Sequence, residues 1–186
     1  MTSMIEWAAE QAAALLSPLG DRWSHTKGVA ERARYVGEVL SEKDRALLIA
    51  AAYLHDIGYA PSLKRTGFHP LDGAYYLLSH GQKRLASLVA YHSEAPFEAE
   101  LRGLTAELDK IPREHSTLAD ALTYCDMTIG PTGRRVSFEE RIEDILERYG
   151  ETHIVHQAIH RAAPALTGAI RHTQDVLHYQ GVVCPD

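Results

Sequence analysis

The residues of this sequence whose types could do chemistry together are His25, His55, Asp56, His69, His92 and Asp126. Each is an imidazole or a carboxylate, and each falls on an apolar face or at a helix end. Such groups are costly to bury unless hydrogen-bonded, paired or bound to a metal. Any one of them alone reads as a core histidine or aspartate satisfied by hydrogen bonds. Several at inward positions, with no thiolate among them, point instead to a divalent transition metal. Nitrogen and oxygen ligands suit Fe, Mn, Co, Ni or Zn rather than a structural zinc knot.

The segment LLIAAAYLHDIGYAPSLKRTGFHPLDGA carries the strongest signal. Its apolar run over 47–54 ends in His55 and Asp56. Adjacent helical residues point about 100° apart, so this pair opens as a wedge suited to gripping one ion. His69 stands before Pro70, which fits a first helical position, with Asp72 in the same first turn. Upstream, His25 lies four residues before Val29 on the stripe Val29, Ala33, Val36 and Leu40. In QKRLASLVAYH, Leu85, Leu88 and Val89 define a face that His92 continues. In STLADALTYCDM, Asp126 falls four residues after Leu122, whereas Asp120 sits in the first turn, where a carboxylate favours the helix dipole.

Helical periodicity dominates the chain, with no alternating strand and no internal repeat. It predicts helices near 3–16, 22–40, 43–57, 70–80, 82–92, 97–108, 116–128, 138–149, 152–163 and 165–179. Pro18, Gly20, Pro61, Gly67, Gly81, Pro96, Pro112 and the turn Gly130–Gly133 punctuate them. The spacers leave little room for a linker. The expected fold is therefore all-α: a compact multi-helix bundle in one domain over 1–186, with a metal site between helices. Its motif core spans about 20–150, and the C-terminal helices over 152–179 pack on that core.

Composition narrows the class. An apolar fraction of 45% and a charged fraction of 24% are those of a soluble globular protein. Nothing approaches a membrane span, and no N-terminal stretch has the length or flanks of a signal peptide, so a cytoplasmic protein is expected. Cys125 and Cys184 form no CxxC pair. A net charge of −6 argues against a nucleic-acid polymer as partner, yet permits a small anionic substrate held by a few local cations. Oligomeric state is left open.

The remaining histidines act as a control. His156 and His160 have the spacing HxxxH, but with His153 they oppose Val155, Ala158, Ile159 and Ala162, which makes them a solvated stripe. His80, before Gly81, fits a helix C-terminus. His115, His172 and His178 suggest no role.

The order His25, His55-Asp56, Asp126, with "HDIG" closing an apolar helix, resembles the HD-domain superfamily of metal-dependent phosphohydrolases over roughly residues 20–150. Those proteins are all-helical, and their defining His, His-Asp and Asp converge on a metal. "FHPLDGAYYL" and "VAYHSE" are similar to segments that supply a second metal site in symmetrical diadenosine-tetraphosphate hydrolases and in HD-GYP phosphodiesterases. The resemblance implies that His25, His55, Asp56 and Asp126 hold one ion. Asp56 would bridge to a second, held also by His69 and His92. The chain departs from the HD-GYP pattern at Tyr59, where those proteins have Lys, and at Tyr91-His92, where they have paired histidines.

The implied reaction is hydrolysis of a phosphoester or phosphoanhydride in a small nucleotide-like molecule by a metal-activated water, with one or two ions. Asp56 would serve it as a ligand. Lys64 and Arg65, in the loop before His69, are the candidate cations for the phosphate, with Arg134 and Arg135 as second choices. Tyr59, Phe68 and Tyr91 are available as a wall for the nucleoside end. Two other readings compete: a non-catalytic module binding metal and nucleotide, and a di-iron oxygenase.

Overall fold

The structure is a computed structural model, and it describes residues 3–182. Cys184 lies outside the described residues. Ten α-helices are present among those described: α1 (Met4–Leu16), α2 (Asp21–Val36), α3 (Glu42–Leu54), α4 (His69–Ser79), α5 (Lys83–Tyr91), α6 (Pro96–Leu101), α7 (Thr105–Leu108), α8 (Thr117–Met127), α9 (Phe138–Arg148) and α10 (Ile154–Tyr179). Short 3₁₀ turns join several of them, and an isolated antiparallel bridge between Ile129 and Arg135 closes a small loop. The fold is all-α, as the periodicity implies, with the His/Asp cluster between helices.

The central element is α3. Ser41 caps its start by accepting from the Asp44 amide. Leu48, Ala50, Ala51, Ala52 and Leu54 are fully buried. The small alanines let α1, α2, α5 and α8 all pack against it. Because α3 is apolar on every side of its second half, its end delivers the following His55 and Asp56 into the interior rather than to solvent.

Two close backbone approaches fix what surrounds that end. A Cβ at Gly58 would collide with the His69 carbonyl oxygen and come within 2.7 Å of the Gly73 amide. The glycine of "HDIG" thus lets the turn after α3 press onto the first turn of α4, bringing Asp56 to His69. A Cβ at Gly28 would lie 2.5 Å from the Gly133 carbonyl, so α2 and the 129–135 loop also meet backbone to backbone. That contact carries the Gly130 carbonyl to His25.

Several boundaries differ from the periodic reading, and α3 stops at Leu54 rather than 57, so that His55 is its C-cap and Asp56 lies in the turn beyond it. Instead of running to residue 40, α2 ends at Val36 and passes into a 3₁₀ turn at Gly37–Val39. The expected helix over 97–108 is two helices, because the Arg102, Gly103 and Leu104 amides turn back onto the Glu98, Glu100 and Ala99 carbonyls and close the first. Conversely, Pro164 does not divide the C-terminal segment, which is one helix of 26 residues. Proline removes the hydrogen bond to the His160 carbonyl, but position 160 is exposed, where water can satisfy that oxygen. Packing against α8, α6 and α9 holds the helix together on its other side.

Candidate metal centre

The elements bring His25, His55, Asp56, His69, His92 and Asp126 to one place. His25 comes from the second turn of α2, His55 and Asp56 from the end of α3, and His69 from the start of α4. His92 follows α5 directly, and Asp126 lies in the last turn of α8. All are buried except His69, which is partly exposed.

Three backbone carbonyls set the chemistry of the imidazoles. His55 Nδ1 lies 2.8 Å from the Ala52 oxygen, His92 Nδ1 2.6 Å from the Val89 oxygen, and His25 Nδ1 3.1 Å from the Gly130 oxygen. A carbonyl can only accept, so each Nδ1 must carry the proton and donate it. Nε2 is then the nitrogen each ring turns inward: carrying a proton it donates to a carboxylate, and without one it offers the lone pair that binds metals. All three Nε2 atoms face the cluster. His25 Nε2 is 2.9 Å from Asp126 Oδ1, and His55 Nε2 is 3.3 Å from Asp56 Oδ2 and 3.8 Å from Asp126 Oδ1. His69 Nε2 lies 3.4 Å from both Asp56 Oδ1 and His92 Nε2.

Do these residues fit an ion? The ligand atoms of His25, His55 and Asp56 lie within 4.8 Å of one another, as do those of Asp56, His69 and His92. Asp56 belongs to both groups, and Asp126 borders the first. His55 Nε2 is wholly buried and makes no hydrogen bond, although Asp56 Oδ2 stands 3.3 Å away. A buried ring nitrogen without a hydrogen bond is costly whether or not it carries a proton, and a cation taking the proton's place would satisfy it. The donor set and the spacing fit one or two divalent ions.

Electrostatics agree. Burial alone would depress the His55 imidazole, but the Asp56 and Asp126 carboxylates outweigh it and raise it to about 9. Burial would raise the Asp56 carboxyl, yet the Arg22 charge, then those of His55 and His69, hold it well below the usual range. Asp126 is likewise held low, against its burial, by the His25 hydrogen bond and the nearby cations. His69 and His92 are depressed, chiefly by burial. The carboxylates thus pull positive charge strongly enough to keep a proton on a fully buried ring, and the same pull acts on a metal ion.

A cleft of about 100 Å³ opens onto the cluster. Arg22 lines it, donating from Nη1 to Asp56 Oδ2 at 2.6 Å with its guanidinium 3.9 Å from the centre of the Tyr59 ring. Tyr59 stacks on His69 at 4.0 Å between centroids. Ser93 Oγ donates to Asp126 Oδ2 at 2.5 Å. Ser93 and Glu94 have φ of 47° and 58°, a left-handed pair of non-glycine residues that is unfavourable without support. Arg113 supplies support by gripping both Glu94 carboxylate oxygens at 2.9 Å.

Residues 22–126 match the HD domain family, more than half of the chain. The chain belongs to that family. Searches against curated proteins and against solved structures found no match. All six of the residues brought together lie inside the matched HD segment, which ends at Asp126 itself. The cleft continues beyond it: Arg141, Ile145 and Arg148 of α9 and Val155 of α10 also line the opening.

The expected phosphate cations are elsewhere. Lys64 and Arg65 are exposed and line no part of the cleft, because the loop that carries them turns outward before His69. Arg134 is also exposed, and Arg135 borders a separate recess beside Tyr35. The cations that line the cleft are instead Arg22, Arg141 and Arg148. Of the proposed aromatic wall only Tyr59 reaches the cleft. Phe68 is fully buried, and the Tyr91 hydroxyl bonds to the Leu108 and Ile111 carbonyls. Sequence held a signal for Arg22, which precedes His25 by three residues on one helix face. It held none for Ser93.

The histidine stripe lies apart from the cluster. His153 caps α10 by accepting from the Val155 amide, and His160 is exposed. His156 is not simply solvated: it is half-buried, with Nδ1 2.8 Å from the Tyr149 carbonyl, pinning the corner between α9 and α10.

Proposed function

We propose that this protein is a metal-dependent phosphohydrolase acting on a phosphoester or phosphoanhydride of a small, nucleotide-like molecule. One observation carries the reading: three histidines locked by backbone carbonyls turn their Nε2 atoms toward two shared carboxylates, and the wholly buried Nε2 of His55 makes no hydrogen bond there. His25, His55, Asp56 and Asp126 would hold one ion; Asp56, His69 and His92 a second. A bound divalent cation supplies a Lewis acid that polarises the phosphoryl oxygen and lowers the pKa of water toward neutrality.

The chain's own groups do the rest. Arg22 faces the cleft beside Asp56 and can neutralise an oxygen of the attacked phosphoryl group, where charge develops in the transition state. Desolvation and the Asp56 charge push the Tyr59 phenol well above its usual range, so at neutral pH it remains an O–H donor at the mouth of the cleft. Ser93 orients Asp126, and the Ala52, Val89 and Gly130 carbonyls fix the ring tautomers. Ser93, the serine lining the cleft, gives its hydroxyl proton to Asp126 and serves that carboxylate in this reading, with water as the attacking group. The substrate's leaving portion would lie toward α9 and α10, which we read as part of the same unit as the HD segment.

The test is hydrolysis of a nucleotide panel with Mn²⁺, Fe²⁺, Co²⁺, Ni²⁺ or Zn²⁺ in water enriched in oxygen-18. Label should enter the released phosphate product, and chelator should abolish release. Turnover that needs O₂, or product without label, contradicts the proposal.

A further inference from the structure

The arginines of α9 suggest what kind of phosphate compound this cleft is shaped to take. Arg141, Ile145 and Arg148 recur at helical spacing and face the cleft together. Arg141 is 7% exposed, yet its charge is poorly matched. Its Nε is buried without a partner, its Nη2 stands 4.0 Å from Asp126 Oδ1, and its one hydrogen bond to a carboxylate is to Asp144 at 3.2 Å. Arg148 holds the same Asp144 by two hydrogen bonds, 2.6 and 2.8 Å long. One carboxylate therefore serves two guanidinium groups. The side chains of Arg148 and Asp144 are 40% and 39% exposed, and exposed pairs of this kind exchange readily with other ions.

Beside the metal cleft lies a second recess of about 300 Å³, lined by Asp21, Arg22, His25, Pro131, Arg141 and Arg148. The three arginines border both spaces. A buried guanidinium lacking full compensation, next to a second cation and an open recess, is the arrangement that recognises phosphate bidentately.

We propose that Arg141 and Arg148 form a second anion subsite that holds a non-reacting phosphate of the substrate while the reacting one sits at the metal cluster beside Arg22. The inference rests on the phosphohydrolase reading and deepens it: the preferred substrate carries at least two linked phosphates, a phosphoanhydride rather than a monophosphate ester. Asp144 is the counter-ion that the substrate phosphate displaces. The subsite comes from α9, past the end of the matched HD segment, so it belongs to this chain's own elaboration of the cleft.

Two measurements test it. The first is calorimetric binding of inorganic tripolyphosphate and of orthophosphate to protein stripped of metal, where no turnover occurs. Tripolyphosphate should bind the tighter of the two. Arg148→Met should weaken it about tenfold, the scale of a lost hydrogen bond to a charged group, and Asp144→Asn should tighten it by freeing both arginines. Arg141→Met should act as Arg148→Met does, and because Arg141 is buried, exposed Arg148 carries the result if that variant misfolds. The second compares kcat/KM for a nucleoside triphosphate and a monophosphate in metal-loaded protein. The triphosphate should be preferred, and Arg148→Met should shrink the ratio. Equal binding of the two probes, or wild-type tripolyphosphate affinity in both Arg148→Met and Asp144→Asn, overturns the subsite even if phosphate esters are hydrolysed. Absence of all turnover with the binding differences intact overturns the phosphohydrolase reading and leaves the anion subsite standing.

Discussion

Two groups of histidines in this protein share a residue type and share little else. In the cluster, His25, His55 and His92 are buried, and each spends its Nδ1 proton on a backbone carbonyl, leaving Nε2 to face Asp56 or Asp126. On α10, His153, His156 and His160 are closer in sequence and carry the HxxxH spacing, yet they share no carboxylate. His153 and His156 use Nδ1 on local backbone to finish a helix end and a corner. The difference lies in the second nitrogen. A histidine becomes a ligand when its backbone partner fixes the tautomer and its free nitrogen meets others from distant helices.

The contrast can be broken most severely at the cluster. His55→Ala and Asp56→Ala should each remove most of the bound metal while helical content is largely kept, as read by elemental analysis and circular dichroism. Full metal occupancy in both variants would mean that the ligands have been misassigned. Next in size is Gly58→Ala. The added methyl has to displace backbone at His69, so stability should fall by about 1–3 kcal/mol, the range for overpacking a filled site, and metal content should fall with it. A denaturant midpoint like that of wild type would show that the close approach does not matter.

A finer cut separates one ion from two. His92→Ala should lose about one ion per chain while His25, His55 and Asp126 retain the other, and turnover should fall far more than stability. If metal content does not change, the group of Asp56, His69 and His92 holds nothing. The smallest effects belong to α10. His153→Gln with His160→Gln should leave metal content and activity within about twofold, since surface substitutions are mild. His156→Ala should leave metal content alone and cost about 1 kcal/mol of stability through the lost hydrogen bond at the corner. Metal loss in any of these variants would erase the contrast.

Much of the cluster was legible because helices impose a period. His25, His92 and Asp126 could be placed on inner faces from Val29, Val89 and Leu122 alone, and the run before His55 told that its helix is buried on all sides. Charge was harder to read. Lys64 and Arg65 are neighbours of His69 along the chain but not around the cleft, because the loop carries them outward. Arg22 reaches Asp56 across 34 residues of sequence, and Arg141 comes within 4.0 Å of Asp126 from α9, a separate helix. A long flexible cation looks like a solvated surface charge until tertiary structure gives it a partner. Pro164 misled for a related reason: its helix-breaking effect is local, while the packing that overrides it comes from α6 and α8.

The most direct test of the account is crystallographic. Crystals grown with Mn²⁺ should show anomalous density where the Nε2 atoms of His25 and His55 meet Asp56 and Asp126, with a second peak between Asp56, His69 and His92. Density beside His156 and His160, or no bound ion in the cluster at saturating metal, would contradict it.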